Sequence, residues 1–337
     1  MEDKRDPIED CLKIFPLVGI LADNMPPRKR KAPDDDFGLT NEDAAQEDAA
    51  NIIGGMKGDY RVTGEEETPE YGSFKIPGED DKNIPCQSRG PPQTSPDAST
   101  LVFTHGAGGG LENPATKLFA EGYANQAPVV CFQGTMNLSS RVKSFETVLN
   151  HLQTDDPQKA FAVGGRSMGA RAAVMIAQSH EDIKKLVLVS YPLTSPKGAK
   201  RDQILLDLPA DKEVLFITGS NDNMCDITEL KQVQQNMQAR STIIIAEKCD
   251  HGMSLTSGPK GFERPLAVEG LRKTSGEKAA AWVEDSSAIL DGSKLEWIAE
   301  SKDIVFTNGI PVSFNDGGNG QKPKKRRKKA TQENEQS

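Results

Sequence analysis

Six short apolar runs occupy the middle of this 337-residue chain, and they limit its possible folds more than any other feature. They are TLVFTH (100–105), PVVCFQ (128–133), KAFAVGG (159–165), KKLVLVS (184–190), EVLFITG (213–219) and STIIIAE (241–247). Each is apolar almost without interruption, the pattern of a strand covered on both faces. Helical spacing falls between and after them, at 113–122, 139–153, 168–180, 226–239 and 276–300. Strand and helix in turn predict a mostly parallel sheet with helices on both faces. About 250 residues so arranged bury roughly three quarters of their unfolded surface, so the core needs no staples. The five cysteines (Cys11, Cys86, Cys131, Cys225, Cys249) are odd in number and lack C-x-x-C spacing, which suits free thiols in a reducing compartment.

Three regions are expected. Residues 1–58 are dominated by charge, Pro, Ala and Gly and read as a disordered end. The apolar run at 11–22 is too short to span a membrane and follows a segment richer in acid than base, which is not the start of a secretory signal. Residues 59–302 form the folded domain, and its first segments YRVTG, SFKIP and NIPCQS are expected as strands on an antiparallel edge. GEDDKN forms the turn between the last two. Residues 303–337 read as a solvated basic tail ending in KPKKRRKK. Lys324, Lys325, Arg326, Arg327, Lys328 and Lys329, with the smaller Arg28–Lys31 cluster, have the composition of nuclear-import signals, which makes an import receptor a partner. A solvated charged tail is the plainer reading. The net charge of −9 and the lack of interleaved aromatics point away from specific nucleic-acid binding, and no membrane partner is expected.

The chemistry is concentrated at the ends of the apolar runs. Gly165-Arg166-Ser167-Met168-Gly169 is a G-x-S-x-G between a strand and a helix, the setting of a nucleophile elbow. Such a turn is too tight for side chains at its flanks, and the helix start aims free N–H groups at developing negative charge. An ordinary strand-to-helix turn with glycine corners is the bland alternative. His105-Gly106-Ala107-Gly108-Gly109-Gly110 follows the first run and suits an oxyanion loop, with N–H donors from Met168 and from Ala107 or, next, Gly108. A glycine loop opening a helix can also cradle phosphate, but neither nucleotide-binding glycine pattern is present. Asp222 in SNDN and His251 in CDHG follow the fifth and sixth runs, 55 and then 29 residues further on, in the order Ser, Asp, His. Asp250 is the rival acid. Of the four histidines, His151 and His180 lie at helix ends and His105 in the oxyanion loop, leaving His251 as the base. Cys225 and Cys249 flank the acid and base loops, where they are either buried thiols or a redox pair. No metal-ligand spacing occurs and no cofactor is expected.

HGAGGGLENPATKLFAEGY, VVCFQGTMNLSSRVKSF, GGRSMGARAA, LVLVSYPL, FITGSNDNMC and CDHGMSL together resemble the KANL/Tex group of α/β-hydrolase-like domains, over roughly 95–285. That group includes a subunit of the NSL histone-acetyltransferase complex and a testis-expressed protein, and it is distantly similar to dienelactone-hydrolase-like enzymes. The resemblance implies the α/β-hydrolase fold, the same triad positions, and Arg141, Arg166 and Arg171 near the site. Dienelactone hydrolases use a cysteine nucleophile where this chain has Ser167, so their chemistry does not transfer. About twenty residues separate LVLVSYPL from EVLFITG, too few for a large lid, so the expected site is open, with Phe132, Gln133, Asn137, Tyr191 and Leu193 in its walls. Two functions follow. One is a serine hydrolase acting on a small ester, thioester or amide, or on an acylated protein. The other is a non-catalytic module of that fold within a nuclear protein complex.

Overall fold

The computed structural model describes residues 70–78, 82–91, 98–258 and 262–309. The 1–58 region, YRVTG and both basic clusters lie outside them. Ten strands form one sheet in the order β1-β2-β4-β3-β5-β6-β7-β8-β9-β10. β1 (Glu70–Pro77) and β2 (Asn83–Gly90) make an antiparallel hairpin, and β2 pairs antiparallel with β4 (Val129–Phe132). From β4 the sheet runs parallel through β3 (Thr100–Thr104), β5 (Phe161–Arg166), β6 (Lys185–Val189), β7 (Glu213–Gly219), β8 (Arg240–Ala246) and β9 (Ser293–Ile298). β10 (Asp303–Thr307) closes the far edge antiparallel to β9. The expected antiparallel N-terminal edge is therefore present as β1 and β2.

Alternate residues of the parallel strands β3 to β8 enter two separate cores. Val102, Val163, Leu188, Phe216 and Ile243 pack beneath α2 (Leu138–Asp155), α3 (Met168–Ser179), the short α4 (Gln203–Leu206) and α5 (Ile227–Asn236). Leu101, Phe103, Val187, Ile217 and Ile244 pack beneath α1 (Pro114–Ala124) and α6 (Arg264–Glu284) on the other face. Two covered faces explain why the strands lack polar alternation. Each fully buried Val, Leu or Ile contributes about 1.5–3 kcal/mol, so the sheet ends are held firmly where the site lies. α1 and α6 touch backbone to backbone: a Cβ at Gly122 would sit 1.9 Å from the Lys273 carbonyl oxygen, and one at Gly276 would sit 2.1 Å from that of Phe119.

The C-terminal third departs from expectation. The helix expected at 276–300 is α6, which spans Arg264–Glu284 with Pro265 in its first turn. Proline fits there because the first-turn N–H groups have no intrahelical acceptor. Residues 293–298 form β9 instead, with Ser293 and Leu295 turned inward. The domain boundary expected at 302/303 is also displaced, since β10 begins at Asp303 and pairs through Thr307. The Asn308 side chain continues the packing, accepting from the Leu290 N–H and the Ser293 hydroxyl.

Candidate active site

The G-x-S-x-G turn joins β5 to α3 and holds Ser167 at φ 52° and ψ −113°. A serine in this region costs on the order of 1–3 kcal/mol, and such strain persists only where the surroundings over-determine it. They do so here. The Ser167 N–H donates to the Val189 carbonyl at the end of β6, at 2.9 Å. Glycine is required at both flanks. A Cβ at Gly165 would lie 2.3 Å from the Gly169 carbonyl carbon, and one at Gly169 would lie 2.4 Å from the Thr104 carbonyl oxygen. The elbow thus packs directly on the end of β3, where the glycine loop begins.

Three side chains meet in line. The Ser167 hydroxyl donates to His251 Nε2 at 2.9 Å. His251 Nδ1 lies 2.9 and 3.0 Å from the two Asp222 oxygens; an ionised carboxylate only accepts, so the ring proton sits on Nδ1. The Asp222 side chain is fully buried, whereas 20% of the His251 side chain meets solvent. Asp222 also accepts from the Met224 N–H at 2.8 Å. β7 ends at Gly219 directly before the acid loop, and a Cβ there would come within 2.1 Å of the Cys249 carbonyl oxygen, so the acid and base loops lie in contact. The Asn221 N–H donates to that same oxygen at 2.8 Å. Asp250, the rival acid, instead accepts from the Gly252 and Ser254 N–H groups and shapes the turn that presents His251. The Nη2 of Arg272, from α6, donates to the Gly252 carbonyl at 2.9 Å and the Ser254 hydroxyl at 3.1 Å. Nothing in the sequence singled out this arginine, which lies 21 residues past the base within a helix of mixed polarity.

On the opposite side, the glycine loop is built around His105. Its Nε2 accepts from the Gly134 N–H at 3.0 Å, which leaves the proton on Nδ1 to donate to the Gly106 carbonyl at 2.7 Å. Burial, and then the Arg141 guanidinium, push the His105 pKa down to about 4, so the ring stays neutral. Met168 and Gly169 open α3 and have no intrahelical acceptor for their N–H groups, which suits Met168 as an oxyanion donor. Of the two loop donors expected, Gly108 is excluded because its N–H turns back to the Gly106 carbonyl at 3.2 Å. Ala107 remains.

Several expected wall residues do other work. Arg141 is buried, and its guanidinium binds the backbone carbonyls of His105, Gly106 and Thr135, so it braces the glycine loop and does not line an open site. Tyr191 is also buried, packed edge-on against Phe216, with its hydroxyl donating to the Arg201 carbonyl at 2.6 Å. Phe132 and Leu193 belong to the same core. Gln133 accepts from the Leu111 N–H, and its Nε2 lies 3.0 Å from His105 Nε2. Asn137 is exposed and caps α2 by accepting from the Ser140 N–H at 2.9 Å. Arg166 is half-buried beside Ser167 and donates to the His251 carbonyl at 3.1 Å, so it alone of the expected binding residues bridges the elbow and the base turn. Arg171 is half-buried on α3, and burial pushes its pKa down. Cys225 and Cys249 lie in the two different cores as free thiols, and burial pushes each up to about 12.

A doubly covered parallel sheet, a strained serine at the third parallel strand in sequence, and Ser-His-Asp contact across the strand ends together define an α/β-hydrolase-fold domain. Comparison with known proteins agrees: residues 97–263 match the model of an alpha/beta hydrolase domain family. Among solved structures, the chain is similar to a dienelactone hydrolase from Anabaena variabilis at 15% identity and TM-score 0.51, covering 64% of this chain and 98% of that one. It is likewise similar to a putative dienelactone hydrolase from Klebsiella pneumoniae, at 14% identity and TM-score 0.50 over 64% and 99% of the two chains. An esterase from Pyrobaculum calidifontis matches at 15% and 0.50, over 65% and 85%. At such identities the likeness is one of fold.

Proposed function

We propose that this chain is a serine hydrolase that cleaves an ester, thioester or related acyl bond through Ser167, His251 and Asp222. The observation that carries the reading is the continuous hydrogen-bonded line from the Ser167 hydroxyl through His251 to the buried Asp222 carboxylate. Ser167 Oγ attacks the acyl carbon while His251 Nε2 takes its proton, and Asp222 holds the Nδ1–H tautomer and stabilises the imidazolium. The Met168 and Ala107 N–H groups receive the developing oxyanion. His251 then protonates the leaving group. A water, deprotonated by the same ring, releases the acyl group and regenerates Ser167. The residues between β6 and β7 bury Leu193, Leu205 and Leu208 against the domain, and 20% of the His251 side chain meets solvent, which favours a small or exposed acyl group. Labelling with a fluorophosphonate probe tests the reading. Wild type should react, and Ser167→Ala and His251→Ala, each confirmed as folded, should not; an unreactive folded wild type refutes it.

The finer affinity with the KANL/Tex group belongs to the same proposal, supported by the run of motifs from His105 to Leu255. So does nuclear placement, supported by the basic composition of Lys324–Lys329 and its fit to an import receptor. Neutralising those six residues should exclude a fluorescently tagged chain from nuclei; unchanged nuclear accumulation would count against it.

A further inference from the structure

The Gly106 carbonyl and the Ala107 N–H belong to one peptide unit, and that unit is held at its oxygen by an unusual set of donors. His105 Nδ1 donates to it at 2.7 Å, Arg141 Nη1 at 3.1 Å and the Gly108 N–H at 3.2 Å. The same Arg141 nitrogen donates to the His105 carbonyl, and Nε donates to the Thr135 carbonyl at 2.8 Å. In a trans peptide the N–H points away from the C=O, so donors crowding the oxygen draw electron density from the nitrogen side and strengthen the opposite N–H as a donor. A full positive charge does so more than a neutral group.

Arg141 also occupies a position that stability alone disfavours. It is fully buried. It lies in the first turn of α2, where the helix dipole repels a cation. Among the described residues, its Nη2 has no hydrogen-bond partner. A neutral side chain bonded to the same carbonyls would avoid the cost of burying a charge and the mismatch with the dipole.

We propose that Arg141 is a positioning residue: with His105 it orients and polarises the Gly106–Ala107 peptide, so that the Ala107 N–H becomes a stronger donor to the oxyanion formed at Ser167. The inference builds on the hydrolase reading above, and adds the source of the field in the site. Removing a whole oxyanion donor costs about 10²–10³ in kcat, so weakening one should cost about tenfold.

The test uses the full chain with Arg141→Met and Arg141→Lys, read in two independent ways. One is turnover of p-nitrophenyl acetate. The other is the backbone amide proton shift of Ala107 in protein labelled with ¹⁵N-alanine. Polarisation predicts that Arg141→Met lowers kcat about tenfold with KM little changed. It also predicts that the Ala107 amide proton moves upfield, and that Arg141→Lys, which keeps the charge without the planar fork, recovers much of both. A folded Arg141→Met with wild-type kcat and an unmoved Ala107 resonance overturns the proposal. So does a lysine variant as impaired as the methionine one, because that is the behaviour of a clamp needing only the fork. If Arg141→Met does not fold, His105→Asn removes another donor from the same oxygen and should shift both readouts less, in the same direction; no shift overturns the proposal. An inert wild type whose Ala107 resonance still moves on loss of Arg141 refutes the hydrolase reading and upholds the polarised amide. An inert wild type with no such movement refutes both.

Discussion

The site has two walls, and each is braced by an arginine bonded to its loop, through backbone carbonyls on one wall and through one carbonyl and the Ser254 hydroxyl on the other. The oxyanion wall after β3 is braced by Arg141 from α2, and the base wall after β8 by Arg272 from α6. Their surroundings differ. The oxyanion wall is glycine-rich backbone with a buried neutral His105 at its centre, so its order depends on the Gln133 side chain and Gly134 N–H that follow β4 and on the Arg141 side chain from α2. The base wall supplies more of its own order: Asp250 accepts two N–H groups of its own turn, and the Thr256 hydroxyl accepts from Asn221 and donates to the Lys248 carbonyl. An N–H that must meet a substrate, as the Ala107 N–H must in this reading, cannot also be used within the loop. The loop is therefore held from outside.

That contrast predicts unequal sensitivity. The largest expected effect is acid loosening of the oxyanion wall. Unfolded His105 takes up a proton near 6.5 and folded His105 only near about 4, so between these values the unfolded chain holds the extra proton. The stabilisation is complete above 6.5 and is lost as pH falls towards 4, amounting to roughly 3 kcal/mol. Denaturant unfolding at pH 7 and pH 4 should show wild type losing about that much more stability than His105→Asn. Equal losses would mean that the ring is not held neutral. A smaller effect is expected on the base wall. Arg272→Met should lower kcat only about two- to threefold with KM little changed, because the turn carrying His251 keeps its Asp250 bonds and shifts only slightly. Arg272→Lys should fall between the two. A loss of tenfold or more would show that the base turn depends on outside support as heavily as the glycine loop does.

Much of the parallel sheet was legible because strands covered on both faces leave continuous apolar runs, and Ser167, Asp222 and His251 each follow such a run. The residues around them were harder to read. Arg141 and Tyr191 lie near the site in space, yet periodicity does not separate a polar group lining a crevice from one buried behind it. Arg272 acts through two hydrogen bonds from a helix whose spacing carries no mark of them. The C-terminal elements were misread for a different reason. The alanines at 279–281 suggest a helix continuing past Glu284, but Asp285-Ser286-Ser287 stops it, with Asp285 accepting from the Ser287 N–H. SKLEWI then pairs with β8 on one side and with DIVFT on the other, and those partners cannot be seen locally. The Arg264-Pro265 start was the available signal for the true helix register.

The contact between α1 and α6 has a mechanical consequence. α1 begins where the glycine loop ends, capped by Asn113, and α6 carries Arg272 next to Lys273, whose carbonyl lies against Gly122. The two sides of the crevice therefore share one foundation on the far face of the sheet. Neither side can swing without sliding one helix along the other, and the interlocked backbones leave no clearance for that slide. The gap between proton acceptor and oxyanion donor is thus set at the back of the molecule, and a methyl group added at Gly122 or Gly276 would act as a wedge beneath both jaws.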